Sequence, residues 1–156
     1  MTKTNVMRLL DAEKISYKTA EYEYDESDLS GNHAADACGI ERERVFKTLV
    51  TKGCKGGYFV FCIPVNSELD LKKAAKACLE KSVELIPVKD LLNLTGYLRG
   101  GCSPISMKKQ FPTFIDETAI LFDEIAVSAG KRGCQVILNP EELIKYVSAN
   151  EFDLTV

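Results

Sequence analysis

Three short segments of this sequence combine residues that could bind a negatively charged group. Arg44–Val50 places one cation, Lys47, inside a run of apolar and β-branched residues. Gly96–Pro104 contains two consecutive glycines, and Ser128–Gly133 contains further glycines beside two cations. Glycine lets a ligand approach the backbone closely, and amide groups turned inward can bind a phosphate or an oxyanion. The three segments together therefore predict an anion-binding cleft.

Each segment also has a simpler structural interpretation. The strand pattern puts Lys47 and Leu49 on one face and Phe46, Thr48 and Val50 on the other. A lysine in such a strand can simply protect a sheet edge against aggregation, and a double glycine is often only a tight turn. Their occurrence together in one small chain favours the cleft.

Groups for a hydrolytic triad or a metal site are missing from the sequence. A serine or cysteine nucleophile needs a positioned base, and His33 is the only histidine. The six cysteines are scattered without a C-x-x-C pair, so we expect no zinc or other metal, although Cys102 lies inside a glycine turn. The glycine turns match no nucleotide-cofactor motif, and no cofactor is expected. Any reaction must rely on positioning, on electrostatics and on groups that the substrate brings.

Size and composition indicate one globular domain spanning residues 1–156. The hydrophobic content is 46% and the charged content 28%. No apolar segment is long enough for a membrane span and no signal peptide is visible, so we expect a cytosolic protein with reduced thiols. A net charge of −3 argues against binding of DNA or RNA by charge alone. Local basic groups can still contact a nucleic acid.

The elements that must position these residues follow from the hydrophobic periodicity. The pattern predicts helices at Thr2–Glu13, about His33–Cys38, Leu69–Leu79, Lys89–Leu94 and Pro140–Ala149. It predicts strands at Ile15–Tyr24, Arg44–Thr51, Tyr58–Val65, Val83–Ile86 and Cys134–Leu138, and short apolar runs at Thr113–Ile115, Ile120–Phe122 and Ile125–Ser128. The second and third strands should form a hairpin. Many short strands with a few helices indicate an α+β domain with a mixed, barrel-like sheet flanked by helices.

The same segments resemble the YbaK/EbsC family of aminoacyl-tRNA deacylases, which includes the editing domain inserted in bacterial prolyl-tRNA synthetases. The resemblance rests on Val45–Val50, on Thr95–Pro104 followed by a lysine pair, and on Val127–Gly133. Their order and spacing agree with the family, and Leu69–Lys76 is also similar. The resemblance covers the chain from end to end.

This resemblance implies a set of site residues. Lys47 would be the residue on which activity most depends, holding the terminal adenosine and its phosphate. The residues implied to bind substrate are Tyr22, Thr48, Gly100, Gly101, Ser128, Gly130 and Gln135. The candidates for contact with the tRNA body are Lys72, Lys73, Lys108, Lys109, Lys131 and Arg132. Two positions depart from the family pattern: Gln135 stands where cysteine-specific relatives carry an acidic residue, and Ser106 stands where a glycine is usual.

The implied activity is hydrolysis of the ester between a wrong amino acid and the 3′ end of proline tRNA, with prolyl-tRNA synthetase as a partner in trans. Cysteinyl-tRNA(Pro) is the expected substrate, cleaved with the help of its own thiol. Two alternatives remain open: an alanyl-tRNA(Pro) deacylase, and a non-catalytic module that binds tRNA or nucleotides and acts as a regulator.

Overall fold

The fold is a mixed α/β arrangement of five helices and eight strands in two sheets, seen in a computed structural model that describes residues 2–156. The helices are α1 (Asn5–Ala12), α2 (Gly31–Cys38), α3 (Leu71–Ala77), α4 (Val88–Thr95) and α5 (Pro140–Val147). The strands are β1 (Tyr17–Glu21), β2 (Phe46–Gly53), β3 (Tyr58–Pro64), β4 (Val83–Leu85), β5 (Thr113–Asp116), β6 (Ile125–Ser128), β7 (Cys134–Leu138) and β8 (Asn150–Phe152). Two short 3₁₀ turns cover Arg42–Arg44 and Glu117–Leu121. Among these helices none is long and apolar enough to cross a membrane.

The strands form two separate sheets instead of one closed barrel. The three-stranded sheet has the order β1-β7-β6 and is antiparallel throughout. The five-stranded sheet has the order β4-β2-β3-β5-β8, with parallel pairing of β5 to both β3 and β8. A single parallel bridge between Val45 and Ala126 joins the two sheets. The predicted α+β class with a mixed sheet is confirmed.

The central hairpin of β2 and β3 separates two apolar clusters. Cys62 and Val60 face the larger cluster, which the three-stranded sheet, α1 and α5 also fill. Phe61 and Ile63 face a smaller cluster beneath α3. Because side chains alternate along a strand, β3 is buried on both faces and reads as an almost continuous apolar run. The predicted hairpin is therefore the core of the fold.

Side-chain caps fix where most helices begin. Thr4 accepts from the Met7 amide, Ser30 from the His33 amide, and Asn139 from the Glu142 amide. Helix α2 consequently starts at Gly31, two residues before the prediction, because Ser30 supplies the cap. Gly39 ends α2 in the left-handed conformation, which glycine adopts easily.

Two parts of the chain differ from the predicted pattern. The apolar run Ile120–Phe122 lies mostly in the 3₁₀ turn that follows β5 instead of in a strand. Asn150–Phe152, for which the hydrophobic periodicity predicts no element, forms the exposed edge strand β8. Its three residues are polar or exposed, so hydrophobic periodicity could not detect it.

Candidate active site

A cavity of about 430 Å³ opens where the two sheets separate. Within residues 2–156, the outer edge of β2 has no neighbouring strand between the bridge at Val45 and the pairing of Thr51 with Leu85 of β4. The cavity fills this gap, and its volume lies in the range of small-molecule sites. Its lining consists of Tyr22, Leu29, Ser30, Gly31, Asn32, Ala34, Val45, Phe46, Lys47, Thr48, Leu49, Val50, Val65, Leu85, Ile86, Val88, Leu91, Arg99, Gly100, Cys102, Ser128 and Gln135.

Lys47 lines this cavity as a half-buried cation without an ionic partner. Within residues 2–156, no carboxylate oxygen lies within 4.0 Å of its ammonium nitrogen. Burial lowers the pKa of Lys47, and the more distant carboxylate of Glu68 opposes this shift only in part. A partly desolvated, unpaired ammonium group gains more from an anionic ligand than a solvated one does.

The two predicted glycine turns pack directly against each other. A Cβ atom on Gly101 would lie 3.1 Å from the Arg132 amide nitrogen, a tight contact that glycine avoids. The Arg132 Nε–H donates to the Arg99 carbonyl oxygen over 2.8 Å, which ties the two turns together. Gly100 has a φ of +87° and lines the cavity, in a conformation that other residues rarely adopt. The convergence of Lys47 and both turns is thus present in the fold.

The three-stranded sheet supplies the polar wall opposite β2. Ser128 ends β6 directly across from Gln135 in β7, and the Ser128 hydroxyl accepts from the Gly130 amide over 3.1 Å. Tyr22 follows β1, held by a hydrogen bond from its amide to the Gly133 carbonyl. Burial raises the pKa of the Tyr22 phenol, which therefore remains protonated.

Two side-chain amides of the lining carry oxygens that no donor satisfies. Asn32 Oδ1 and Gln135 Oε1 are buried and have no hydrogen-bond partner within residues 2–156. An unsatisfied buried acceptor costs about 1–3 kcal/mol, and native proteins retain few of them. These two oxygens of the cavity wall can therefore accept hydrogen bonds from a ligand.

The lining contains no carboxylate and no imidazole among its twenty-two residues. Its ionisable groups are the cations Lys47 and Arg99, the phenol of Tyr22 and the thiol of Cys102. Burial raises the pKa of the Cys102 thiol to about 12, so it is a neutral thiol near pH 7 and a poor nucleophile. The site can bind an anion and stabilise developing negative charge, but it offers no general base of its own.

The burial of the thiols predicts their order of reaction with iodoacetamide. Cys54 is exposed and hydrogen bonds lower its pKa, whereas burial raises the pKa of Cys62 and of Cys102 to about 12. We expect Cys54 to be alkylated before Cys62 and Cys102, because the thiolate is the reactive form. Peptide mapping by mass spectrometry at pH 8 measures this order. Early alkylation of Cys102 would show that its thiol is activated after all.

The remaining predicted residues lie outside the cavity lining. Gly101 packs behind Gly100, and Gly130 faces Val6 and Tyr97. Lys131 and Arg132 belong to the turn that packs on Gly101, beside the cavity. The other basic candidates lie farther along the surface: Lys72 is exposed on α3, Lys108 is exposed near Gly96, and Lys109 lies over the Phe111 ring. Lys73 is engaged by Asp153 and by the Thr155 carbonyl.

Several lining residues were not recognised in the sequence. Arg99 adds a second cation, and its place inside the glycine turn was a signal that could have revealed it. Leu29 to Ala34 bring the start of α2 to the cavity, where a side chain on Gly31 would collide with Val65. Leu85 to Leu91 form an apolar wall. No local motif marked these two segments, because they reach the cavity only through the tertiary fold.

Comparison with known proteins connects this geometry to a family. The family model described as "Aminoacyl-tRNA editing domain" matches residues 30–146, which include Lys47, both glycine turns and the cavity walls that follow α2. The chain belongs to this editing-domain family. The match supports the resemblance found in the sequence and the assignment of the chain as an aminoacyl-tRNA deacylase.

Individual relatives can be aligned with nearly the whole chain. An Enterococcus faecalis protein named "Putative Cys-tRNA(Pro)/Cys-tRNA(Cys) deacylase EbsC" is 50% identical over 98% of this chain and 93% of its own. A crystal structure described as a "putative trans-editing enzyme for prolyl tRNA synthetase" has a TM-score of 0.82 at 25% identity, covering 100% of this chain and 99% of its own. A structure described as a hypothetical protein has a TM-score of 0.88 at 19% identity, covering 98% and 100%, which shows the fold alone.

Proposed function

We propose that this protein is a trans-editing deacylase that removes cysteine from mischarged Cys-tRNA(Pro). The observation that carries this proposal is the cavity itself, with an unpaired, half-buried Lys47 and no carboxylate or imidazole in its lining. Such a site suits a polyanionic substrate that supplies its own reactive group. The Enterococcus relative's name covers both Cys-tRNA(Pro) and Cys-tRNA(Cys), so a second cysteinyl-tRNA is a natural further substrate.

In this proposal the protein positions the aminoacyl end and stabilises charge. Lys47 attracts the phosphate next to the terminal adenosine, and Arg99 provides a second cation at the glycine turn. Gly100, Ser128 and Tyr22 form the walls around the ester. The proposed contacts for the tRNA body are Lys131, Arg132, Lys108 and Lys109, with Lys72 and Lys73 farther along the surface.

The chemical step uses the thiol of the substrate. The cysteinyl sulfur attacks its own carbonyl carbon, the ester C–O bond breaks, and a four-membered cyclic thioester leaves while the ribose oxygen takes the proton from the thiol. Water then opens the cyclic thioester to free cysteine in solution. The enzyme needs to supply only orientation and stabilisation of the oxyanion, as the groups lining the cavity allow.

The proposed biological setting is translation quality control in the cytoplasm. Binding alone discriminates weakly between amino acids of similar size, so a second site that clears errors is required. An acidic chain of net charge −3 has little general attraction for RNA, and prolyl-tRNA synthetase acting in trans would supply the tRNA specificity.

The test measures deacylation of a matched set of tRNAs by the purified protein. The set is Cys-tRNA(Pro), Cys-tRNA(Cys), Ala-tRNA(Pro), Pro-tRNA(Pro) and S-methylcysteinyl-tRNA(Pro). We expect rapid loss of cysteine from Cys-tRNA(Pro), while the prolyl and S-methylcysteinyl esters remain, because neither carries a free thiol. The S-methyl compound is the matched control, since it differs from the substrate only at sulfur.

Other outcomes would redirect the assignment. Faster release of alanine than of cysteine would favour an alanyl-tRNA(Pro) deacylase that uses water or a ribose hydroxyl. Hydrolysis of the S-methylcysteinyl ester at the cysteinyl rate would disprove attack by the substrate thiol. No deacylation of any ester, with tRNA binding retained, would favour the non-catalytic binding module.

A further inference from the structure

The hydrogen-bond pattern of β2 shows which of its backbone groups face the cavity. The Val65 amide donates to the Val45 carbonyl, and the Gly53 amide donates to the Gly57 carbonyl, so odd-numbered residues of this strand bond to the β3 hairpin partner. In an antiparallel ladder the intervening residues direct both their N–H and C=O groups to the opposite side. Val50 obeys this rule, since its carbonyl accepts from the Ile86 amide on that side.

Thr48 is the even-numbered residue in the middle of the open edge. Within residues 2–156, no strand bridge is found on the other side of β2 between Val45 and the Val50 carbonyl that accepts from Ile86. At about 3.3 Å per residue this gap is about 17 Å long. The Thr48 hydroxyl lies 3.8 Å from the Cys62 sulfur, so its side chain is turned to the core. What Thr48 presents to the cavity is its backbone N–H and C=O.

An aminoacyl ester carries the complementary pair of groups. Its α-amino group is a donor and its carbonyl oxygen an acceptor, on either side of one Cα atom, as in a residue of a β-strand. Residues that face each other in the hydrogen-bonded positions of an antiparallel sheet exchange two N–H···O bonds. Extended ligands commonly add to an open strand edge in this way.

We propose that the aminoacyl group of the substrate binds Thr48 as a one-residue antiparallel strand. Its amino group donates to the Thr48 carbonyl, and its ester carbonyl accepts from the Thr48 N–H. This arrangement rests on the proposed function and specifies how the same cavity recognises its substrate class. Thr48 thereby recognises the amino and carbonyl groups that every aminoacyl ester shares. Selectivity for the amino-acid side chain comes from the cavity walls. The Thr48 N–H also stabilises the negative charge that develops on the carbonyl oxygen.

The first test removes the Thr48 N–H and keeps the threonine side chain, by installing the α-hydroxy analogue of threonine so that an ester replaces the amide. We expect deacylation of Cys-tRNA(Pro) to fall by about 100-fold, as for loss of one oxyanion donor. The exchange also makes the Lys47 carbonyl a weaker hydrogen-bond acceptor. Lys47 faces Ile63 in a hydrogen-bonded pair of the ladder. The matched control is the α-hydroxy analogue of isoleucine at Ile63, which removes the donor to that same carbonyl.

The control separates a binding role from a structural one. The Ile63 ester is expected to lower the unfolding temperature and to change the deacylation rate by less than 10-fold in the folded protein, whereas the Thr48 ester should leave the unfolding temperature almost unchanged. A Thr48 ester that deacylates within threefold of the unmodified protein would overturn the proposal. So would an Ile63 ester that loses as much activity as the Thr48 ester.

A second test measures binding and does not depend on hydrolysis. The probe is a CCA trinucleotide whose 3′ end carries cysteine through a stable amide, added to ¹⁵N-labelled protein. We expect the resonance of the Thr48 amide proton to move downfield. The trinucleotide without cysteine and an acyl analogue without the amino group should cause a smaller shift. If the protein deacylates nothing but this shift occurs, the proposed function fails and the strand pairing stands. If the probe binds without moving the Thr48 signal, the pairing is refuted even when deacylation is observed.

Discussion

Replacing Lys47 by methionine is expected to slow deacylation of Cys-tRNA(Pro) by about 100- to 1,000-fold, the usual cost of losing one preorganised charged donor. Methionine retains an unbranched apolar stem of similar length, so the packing of β2 is preserved. What disappears is the cavity cation that has no carboxylate within 4.0 Å in the described chain. Single-turnover measurements at saturating protein isolate the chemical step from binding.

Lys52→Met on the same strand provides the matched control. Lys52 is exposed and its ammonium nitrogen lies 5.7 Å from the centre of the Tyr58 ring, outside the cavity lining. We expect this variant to deacylate at the unmodified rate. If Lys47→Met retains full activity, or if both variants lose activity equally, the central role proposed for Lys47 is wrong.

The lowered pKa of Lys47 also gives the binding step a pH dependence with a definite sign. In the proposed function the ammonium form binds the phosphate, and burial makes Lys47 lose its proton at a lower pH than an exposed lysine does. Affinity for the CCA trinucleotide without an attached amino acid should therefore fall as the pH rises through the lowered pKa of Lys47. The Lys47→Met variant should bind weakly without this fall, which titration calorimetry can measure across the alkaline range.

The sequence was informative where local chemistry determines structure. The α2 helix, the α4 helix and the apolar hairpin are marked by short-range features, and they were predicted to within about two residues. Ser106 is a related case. The resemblance to the family implies a glycine at this position, and the Ser106 backbone has a φ of 65°, in the region that glycine adopts most easily.

The cavity could be predicted only in part, because its walls come from distant segments. Lys47, Gly100 and Ser128 were expected to face one place and do line one cavity. The open edge of β2 could not be foreseen, since it depends on where β4 and β6 stop pairing with that strand. Asn32 likewise reaches the site only through the packing of α2. Periodicity reports which face of a strand is buried, but not which strand lies beside it.

The same division explains why the proposed chemistry depends on the fold as well as on the motifs. A lysine in a strand is an ordinary surface residue until a missing neighbour leaves its strand edge open to a cavity. In the proposed function the glycine turns act together, because one packs on the other and both contribute to the cavity lining through Gly100 and Ser128. Specific motifs and an interrupted sheet are therefore both required for a site of this kind.

The largest effect on stability is expected for Phe61→Ala in the strand that supports this edge. Phe61 is completely buried, stacks on Phe114 with ring centres 5.2 Å apart, and faces Leu49 of β2 across the ladder. Removing a buried aromatic ring leaves a cavity and costs about 3–5 kcal/mol of unfolding free energy. For a chain of this length that loss lowers the unfolding temperature by about 6–20 °C.

Phe59→Ala is the matched control for this prediction. Phe59 lies two residues earlier on the same face of β3 and packs against the same cluster, but it is only partly buried. Its ring therefore has less apolar contact to lose, and the variant should unfold closer to the unmodified protein. Urea denaturation followed by circular dichroism compares the three proteins. Equal losses from both variants would contradict the greater cost expected for the fully buried ring of Phe61.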